Sequence, residues 1–284
     1  MNKNILSFKS NQYLSLIATN KKKDNILPNN YFSINEKENL LSMSNYVNLI
    51  DKYSIDKSSF LELGIGHSKT IELLSQKFEN VTVLDGEKEL VNKYNKIYPT
   101  IDFVETYFEH FNTNKLYKNI GMGFVLEHVN NPEEILKKYS KFLEPDGKIF
   151  ISVPNANSLH RIIANKAGLL EDIKMLSEAD KRYGHLRFLT YFEWVDLFKK
   201  CNMEVEVSHG LFLKPSTTQQ IHSLNLDNII YNSLGSTAHL FPEVSNSCFF
   251  ILKNKPFYLF KSILFSLTKF FAFKKGYNGN NFKG

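Results

Sequence analysis

A chain of 284 residues can bury a full core, and 43% apolar with 23% charged content is that of an ordinary globular protein, not a disordered or fibrous one. A formal charge of +6 suits anionic substrates or membrane surfaces, but no recognition-helix or zinc-finger pattern supports nucleic acid as a partner. Cys201 and Cys248 are too few and too far apart for a disulfide framework or a thiolate metal site. With no apolar run at the N-terminus, a reducing cytoplasm is expected.

Residues 1–38 are rich in Asn, Lys and Ser, carry the charged run Lys21–Asp24 and break at Pro28. They read as an N-terminal arm, a solvated extension rather than a gate. A helix through Leu40, Val47 and Ile50 leads to the first strand. Phe60–Thr70 then passes from an apolar strand (Leu61, Leu63) through a glycine turn to a helix marked by Ile71, Leu74 and Phe78. Gly64 and Gly66, with Ile65 between them, let the main chain turn tightly and approach a ligand, and the helix points its free N–H groups over that turn. The next strand, Val81–Leu84, ends in Asp85-Gly86, where the acid can accept from both ribose hydroxyls. Such a unit binds a nucleoside. Lys69 stands where a dinucleotide fingerprint has its third glycine. Glu62, two residues before Gly64, suits a positively charged ligand such as the ammonium and sulfonium of S-adenosylmethionine.

Helix Glu87–Tyr98 stops at Pro99, and Ile101–Val104 is a third strand. Glu105–Phe108 falls where an adenine would lie, so Tyr107 or Phe108 can stack on the base, although core packing is the commoner use of such rings. Asn119–Gly123 is a fourth strand, Pro132 opens a helix through Leu143, and Pro145-Asp-Gly147 turns into a fifth strand, Lys148–Val153. This alternation predicts a mostly parallel sheet covered on both faces. Beyond Pro154 the rhythm changes. Asn155–Asp180 reads as a mostly helical insertion and Thr190–Cys201 as a helix. Met203–Val207 and Ser247–Leu252 are strands, with a further insertion over 214–246 that is helical at Gln219–Leu234. In the tail, 255–284, Lys255–Lys275 forms an amphipathic helix. Packing on the domain or a neighbouring subunit is favoured over peripheral membrane contact.

The motif residues Glu62–Gly66, Asp85-Gly86, Val125–Val129 and Leu143–Gly147 resemble those of the class I S-adenosylmethionine-dependent methyltransferases over residues 45–253. Val153–Arg161 and Gly184–Arg187 resemble the small-molecule branch linked to bacterial surface glycans and secondary pathways. The resemblance implies a Rossmann-like α/β domain over 39–254 with a helical lid at 155–189. Its seven-stranded sheet has the order 3-2-1-4-5-7-6, with the seventh strand antiparallel. It also implies that Glu62, Gly64, Ile65 and Gly66 hold the methionine part of S-adenosylmethionine and Asp85 the ribose, while Gly86, Tyr107 and Phe108 complete the cofactor set. Two positions depart from the pattern. Lys118-Asn119 stands where many relatives have an aspartate, and Phe124 stands where metal-assisted relatives carry a glutamate. A Glu127/His128/His185 metal site stays open but is disfavoured, because adjacent helical positions do not face one another and no clear ligand set is present, so no metal is expected.

Methyl transfer is an in-line displacement in which the protein aligns two reactants and removes a proton where needed. His128, after the fourth strand, is a candidate base with Glu127 and His185, and tying down a loop is its plainer role. His160, Arg161, His185 and Arg187, with Lys166, Lys181 and Arg182, give the lid a basic character. Arg161 and Arg187 can fork onto phosphate or carboxylate. The expected reaction is O-methylation of a small anionic or sugar-type acceptor, phosphorylated or nucleotide-linked. N-methylation of an amine and a non-catalytic cofactor-binding role stay open, whereas a nicotinamide oxidoreductase is disfavoured by Glu62 and Lys69.

Overall fold

Seven strands join into one sheet in the order β3-β2-β1-β4-β5-β7-β6. They are β1 (Ser59–Leu63), β2 (Asn80–Asp85), β3 (Asp102–Glu105), β4 (Tyr117–Gly123), β5 (Leu143–Pro154), β6 (Met203–Gly210) and β7 (Ser247–Asn254). Strand β7 runs antiparallel to both β5 and β6, and the other pairings are parallel. The expected order and the reversed last strand are both observed. The structure, a computed structural model, describes residues 36–255. The proposed tail helix, and the arm before residue 36, lie outside the described residues.

Successive side chains of a strand point to opposite faces, and both faces here are covered. Leu61 and Leu63 enter one apolar cluster with Ile120, Ile149 and Trp194, while Phe60 enters the other with Tyr46, Ile71 and Phe249. The covering helices are α1 (Glu36–Tyr53), α2 (Ser68–Lys77), α3 (Lys88–Ile97), α4 (Pro132–Tyr139), α5 (Leu159–Lys166), α6 (Glu178–Arg182), α7 (Tyr191–Lys200), α8 (Thr218–Ser223) and α9 (Asn228–Thr237). Among the described residues, no helix is long and apolar enough to cross a membrane.

Several boundaries differ from expectation, each for a local reason. Helix α1 starts at Glu36, so the last residues assigned to the arm are helical. Helix α4 is opened by Asn131, whose side chain accepts from Glu134 N, and by Pro132 at its first position, but it tightens into a 3₁₀ turn at Ser140. Pro145-Asp-Gly147 does not precede the fifth strand but bulges within it. Tyr117 pairs with Leu143 and Asn119 with Lys148, so residues 144–147 oppose Lys118 alone. Lys118 spans that bulge to Asp146 at 2.8 Å. The lid is also less helical than expected, because Gly168 (φ +70°) ends α5 and no helix follows until Glu178.

Two buried polar knots fasten the insertions. Asn155 is fully buried and makes four hydrogen bonds. Its Nδ2 donates to the Glu243 and Ser245 carbonyls, and its Oδ1 accepts from the Asn157 and Tyr191 amides. Lys214 Nζ lies 2.9 Å from Glu38 Oε2 and donates also to Thr218, which ties the segment before β7 to α1.

Candidate active site at the carboxyl edge of the sheet

Strands β1, β2 and β3 end side by side, and the turn after β1 lies between them. Gly64 donates to the Leu84 carbonyl at 2.7 Å and sits at φ +83°, with Gly66 at φ +52°. Both need the left-handed region, which glycine enters without strain. His67 then caps α2, its Nδ1 accepting from Lys69 N at 2.9 Å. Burial, with the nearby Lys69 charge, holds His67 down at about 4, so the ring is neutral as that role requires. Asp85 is wired to the same turn. Its Oδ2 accepts from Ile65 N at 2.9 Å and its Oδ1 from Glu87 N at 2.8 Å, which leaves one lone pair on each oxygen for a ribose.

Glu62 is buried, and the Tyr46 hydroxyl donates to its carboxylate at 3.2–3.3 Å. Burial pushes Glu62 up to about 8 even though Tyr46 and the Gly123 amide favour its ionised form. The carboxylate fits because β4 has no side chain in its way. A Cβ at Gly121 would stand 1.9 Å from Glu62 Oε2 and 2.7 Å from the Tyr46 hydroxyl. Gly86 plays a similar part under Tyr107, whose ring would lie 2.9 Å from a Cβ there. Tyr107 is exposed, as an adenine platform must be, whereas Phe108 packs partly into the core beside Gly64. The eight cofactor candidates therefore gather at one edge. Tyr46, Gly121 and His67 were missed, although paired glycines inside a strand signal a close approach.

The acceptor side begins at Phe124, whose φ of +58° is a costly left-handed conformation for an aromatic residue, by about 1–2 kcal/mol. It swings the chain into a non-helical turn over 124–130. The expectation that Glu127 and His128 diverge, drawn from helical spacing, is therefore corrected. Glu127, His128 and His185 bring one ligand atom each to within 4.8 Å of one another. Glu127 is 1% exposed, and neither carboxylate oxygen has a hydrogen-bond partner among the described residues. Burial pushes it up to about 7, opposed in part by its own backbone amide and then by His185 and Arg187. His128 Nε2 stands 4.0 Å from Glu127 Oε1, and its other nitrogen faces the Gly184 backbone. Burial, then the neighbouring His185, holds His128 down at about 4. The two imidazoles meet edge-on, with centroids 4.8 Å apart.

Asp180, which the sequence did not single out, stands behind His185. Its Oδ1 is 3.5 Å from His185 Nδ1, an ion-pair contact longer than a hydrogen bond, and its Oδ2 accepts from Ser177 N and Oγ. Burial would raise Asp180, but His185 and Ser177 outweigh it and bring the group to about 2.

The lid arginines are employed differently from the expected anion forks. Arg187 donates to the Leu126, Val129 and Asn130 carbonyls, and Leu186 N donates to the Glu127 carbonyl. Arg161 donates to the Ile173 and Met175 carbonyls and lies over the Phe188 ring. Both guanidiniums are thus spent on main chain, where they hold loops in place. Burial, then the charges of Lys214 and Arg161, keeps His160 down at about 3, so it adds no positive charge at neutral pH. The rim around the lid instead exposes Ile163, Leu169, Met175 and Leu186.

Comparison with known proteins agrees with this fold. Residues 36–207 match a family model described as a methyltransferase domain. The Rickettsia conorii protein named ubiquinone biosynthesis O-methyltransferase is 23% identical over 194 residues, 66% of either chain. The protein of that name from Saccharophagus degradans is 24% identical, over 66% of this chain and 80% of its own. A Leishmania major SAM-dependent methyltransferase shares the fold with a TM-score of 0.52 and 12% identity, over 75% of this chain and 72% of its own. The plantazolicin methyltransferase BpumL, solved with SAH and a substrate analogue, superposes with a TM-score of 0.50 and 17% identity, over 88% of this chain and 93% of its own.

Proposed function

This chain belongs to the class I S-adenosylmethionine-dependent methyltransferases, and we propose that within that family it methylates a hydroxyl oxygen on a small, neutral, partly apolar acceptor. The observation that carries this reading is the Glu127–His128–His185 group beside the cofactor turn, its carboxylate buried and its two imidazoles half-buried. Val125, in the same loop, would touch a Cβ at Gly64 at 3.8 Å. A hydroxyl holds its proton at neutral pH and must lose it as it attacks, whereas a phosphate or carboxylate oxygen is already ionised and needs no base. A cluster of proton acceptors therefore favours a hydroxyl. With Arg161 and Arg187 spent on carbonyls, the phosphorylated or nucleotide-linked acceptor loses its main support. The apolar rim and the O-methyltransferase names of the curated relatives support the neutral alternative.

In this reading Glu62 and the Gly64–Gly66 turn hold the methionine part of the cofactor and Asp85 its ribose. The acceptor oxygen attacks the sulfonium methyl carbon. The carbon–sulfur bond breaks with its electron pair left on a now neutral thioether, and the hydroxyl proton passes to the Glu127–His128–His185 group. The test is transfer of labelled methyl from S-adenosylmethionine to a panel of phenols, sugars, amines and their phosphorylated counterparts. O-methylation of neutral hydroxyl compounds is expected. Exclusive N-methylation, or turnover only of phosphorylated members, would overturn the reading.

A further inference from the structure

We propose that the outer face of α9 (Asn228–Thr237) and of the 3₁₀ turn after it is where two copies of this chain pair about a two-fold axis. From Pro215 to Pro242 the sequence carries one charged side chain, Asp227, although 23% of all residues are charged. Asp227 is itself used as the cap of α9, its carboxylate accepting from Ile229 N at 3.1 Å. A helix at the surface of a globular protein ordinarily turns a charged face to water, and α9 has none to turn.

One side of α9 is already taken. Tyr231, Gly235 and Ala238 are buried, and Tyr231 packs with Leu41, Phe212 and Ile221. Lys37, at the start of α1, donates to Asn228 Oδ1 at 2.8 Å and lies over the Tyr231 ring. The other side carries Ile229, Ser233, Ser236 and Leu240, spaced so as to share one helical face, and all four are exposed. Ile230 stands beside Ile229, while Leu224 and Phe241 flank the two ends, again exposed. A helix with apolar side chains on both sides belongs in an interior. The five apolar side chains leave on the order of 500 Å² open, at the upper end of what a monomer shows. With the neutral polar residues around them they approach the ~800 Å² that a standard interface takes from each partner.

The polar groups of this face are satisfied from within. Ser233 Oγ donates to the Ile229 carbonyl at 2.7 Å, Ser236 Oγ to the Ser233 carbonyl at 3.3 Å, and His239 Nδ1 to the Ser236 carbonyl at 2.7 Å. The face can therefore be covered without stranding a hydroxyl. Its pattern also reads alike in both directions, since Ile229 and Leu240 lie equally far from the midpoint between Ser233 and Ser236. Two copies crossing antiparallel at that midpoint set Ile229 on the partner's Leu240 and Ser233 on the partner's Ser236, an isologous contact. Charge favours a second copy over a lipid surface. Chains of net charge +6 repel one another unless they meet where neither is charged, as here. An anionic membrane would call for free lysines around the face, and Lys37 is spent on Asn228 and Tyr231. The pairing stands apart from the methyl-transfer reading.

The experiment is sedimentation velocity of the full-length chain across micromolar concentrations, with light scattering to fix the mass. A species of twice the mass of one chain is expected. Ile229→Lys and Leu240→Lys, with folding checked by circular dichroism, should each weaken pairing by at least about tenfold. Ile229→Lys combined with Leu240→Glu in one chain sets opposite charges against one another across the axis and should restore the dimer, whereas Ile229→Lys with Leu240→Lys should not. Ile55→Lys, at an exposed apolar residue before β1, should change nothing. A monomer at every concentration, a dimer untouched by the single substitutions, or no restoration by opposite charges would overturn the proposal. In a monomeric chain, binding to phosphatidylcholine–phosphatidylglycerol vesicles that Ile229→Lys abolishes would give the face to a lipid surface instead. A fall in the Tm of that monomer on Ile229→Lys would give it to residues of the same chain outside 36–255.

Discussion

The two ends of the site are built on opposite plans. Glu62, on the cofactor side, lies in β1, and Glu127, on the acceptor side, lies in the turn after the neighbouring strand β4; burial raises both, to about 8 and about 7. Glu62 is held in advance by the Tyr46 hydroxyl and the Gly123 amide, in a space that glycines keep clear. Glu127 has no side-chain partner among the described residues, only the weak pull of its own backbone amide. A carboxylate whose bonds are already made is a fixture for binding, whereas one without a side-chain partner is suited to take up a proton during turnover.

That contrast predicts which variants lose rate and which lose affinity. The largest effect expected is from Glu127→Gln, which should lower the methyl-transfer rate by about 10²–10⁴-fold while S-adenosylhomocysteine affinity holds. Steady-state kinetics with calorimetry would check this, and a parallel loss of affinity would erase the division between the two ends. Gly121→Ala should do the reverse by driving Glu62 and Tyr46 from their places. Cofactor-product affinity should fall by about 10–100-fold, the equivalent of one charge-assisted hydrogen bond.

Arg187→Ala sharpens the comparison from the lid side. Its guanidinium holds the turn that carries Glu127, so its loss should lower stability by about 1–3 kcal/mol, read as a fall in Tm. Added phosphate should protect neither the variant nor the parent. The smallest effect concerns pH. The raised Glu62 is protonated in the free protein at pH 7, so the cofactor ammonium must expel that proton. Affinity should therefore rise with pH and level off near the Glu62 value of about 8. Tyr46→Phe removes a donor that favours the charged form. It should move the levelling to higher pH by about half a unit to one unit, as measured by titration across buffers.

The cofactor half was legible because its residues are local. Glu62 and Asp85 sit at the ends of β1 and β2, Gly64 and Gly66 follow β1 directly, and the strands alternate with helices in order. The acceptor half was not, for two physical reasons. Glu127 and His185 meet only after the lid folds back, and the turn that aims Glu127 starts from a left-handed Phe124 that no propensity suggests. Arg161 and Arg187 show a fork of donors in the sequence, but the carbonyls that consume them belong to loops whose shape is set by packing. The same holds for Pro145–Gly147. Its residues announce a turn, while only the register against Tyr117 and Asn119 shows that the turn is a bulge inside β5.

Asn155 fixes how this enzyme can change its acceptor. One amide uses its full bonding capacity on Asn157, Tyr191, Glu243 and Ser245, so the roots of both insertions are pinned to a single point at the end of β5. Outboard of that anchor, the exposed apolar side chains of Ile163, Leu169 and Met175 lie ahead of Asp180 and His185 in the lid, so their exchange is expected to leave the reacting group in place. On the proposed reading, acceptor bulk would be retailored at those three positions, with the anchored stem and the Asp180–His185 stretch left alone.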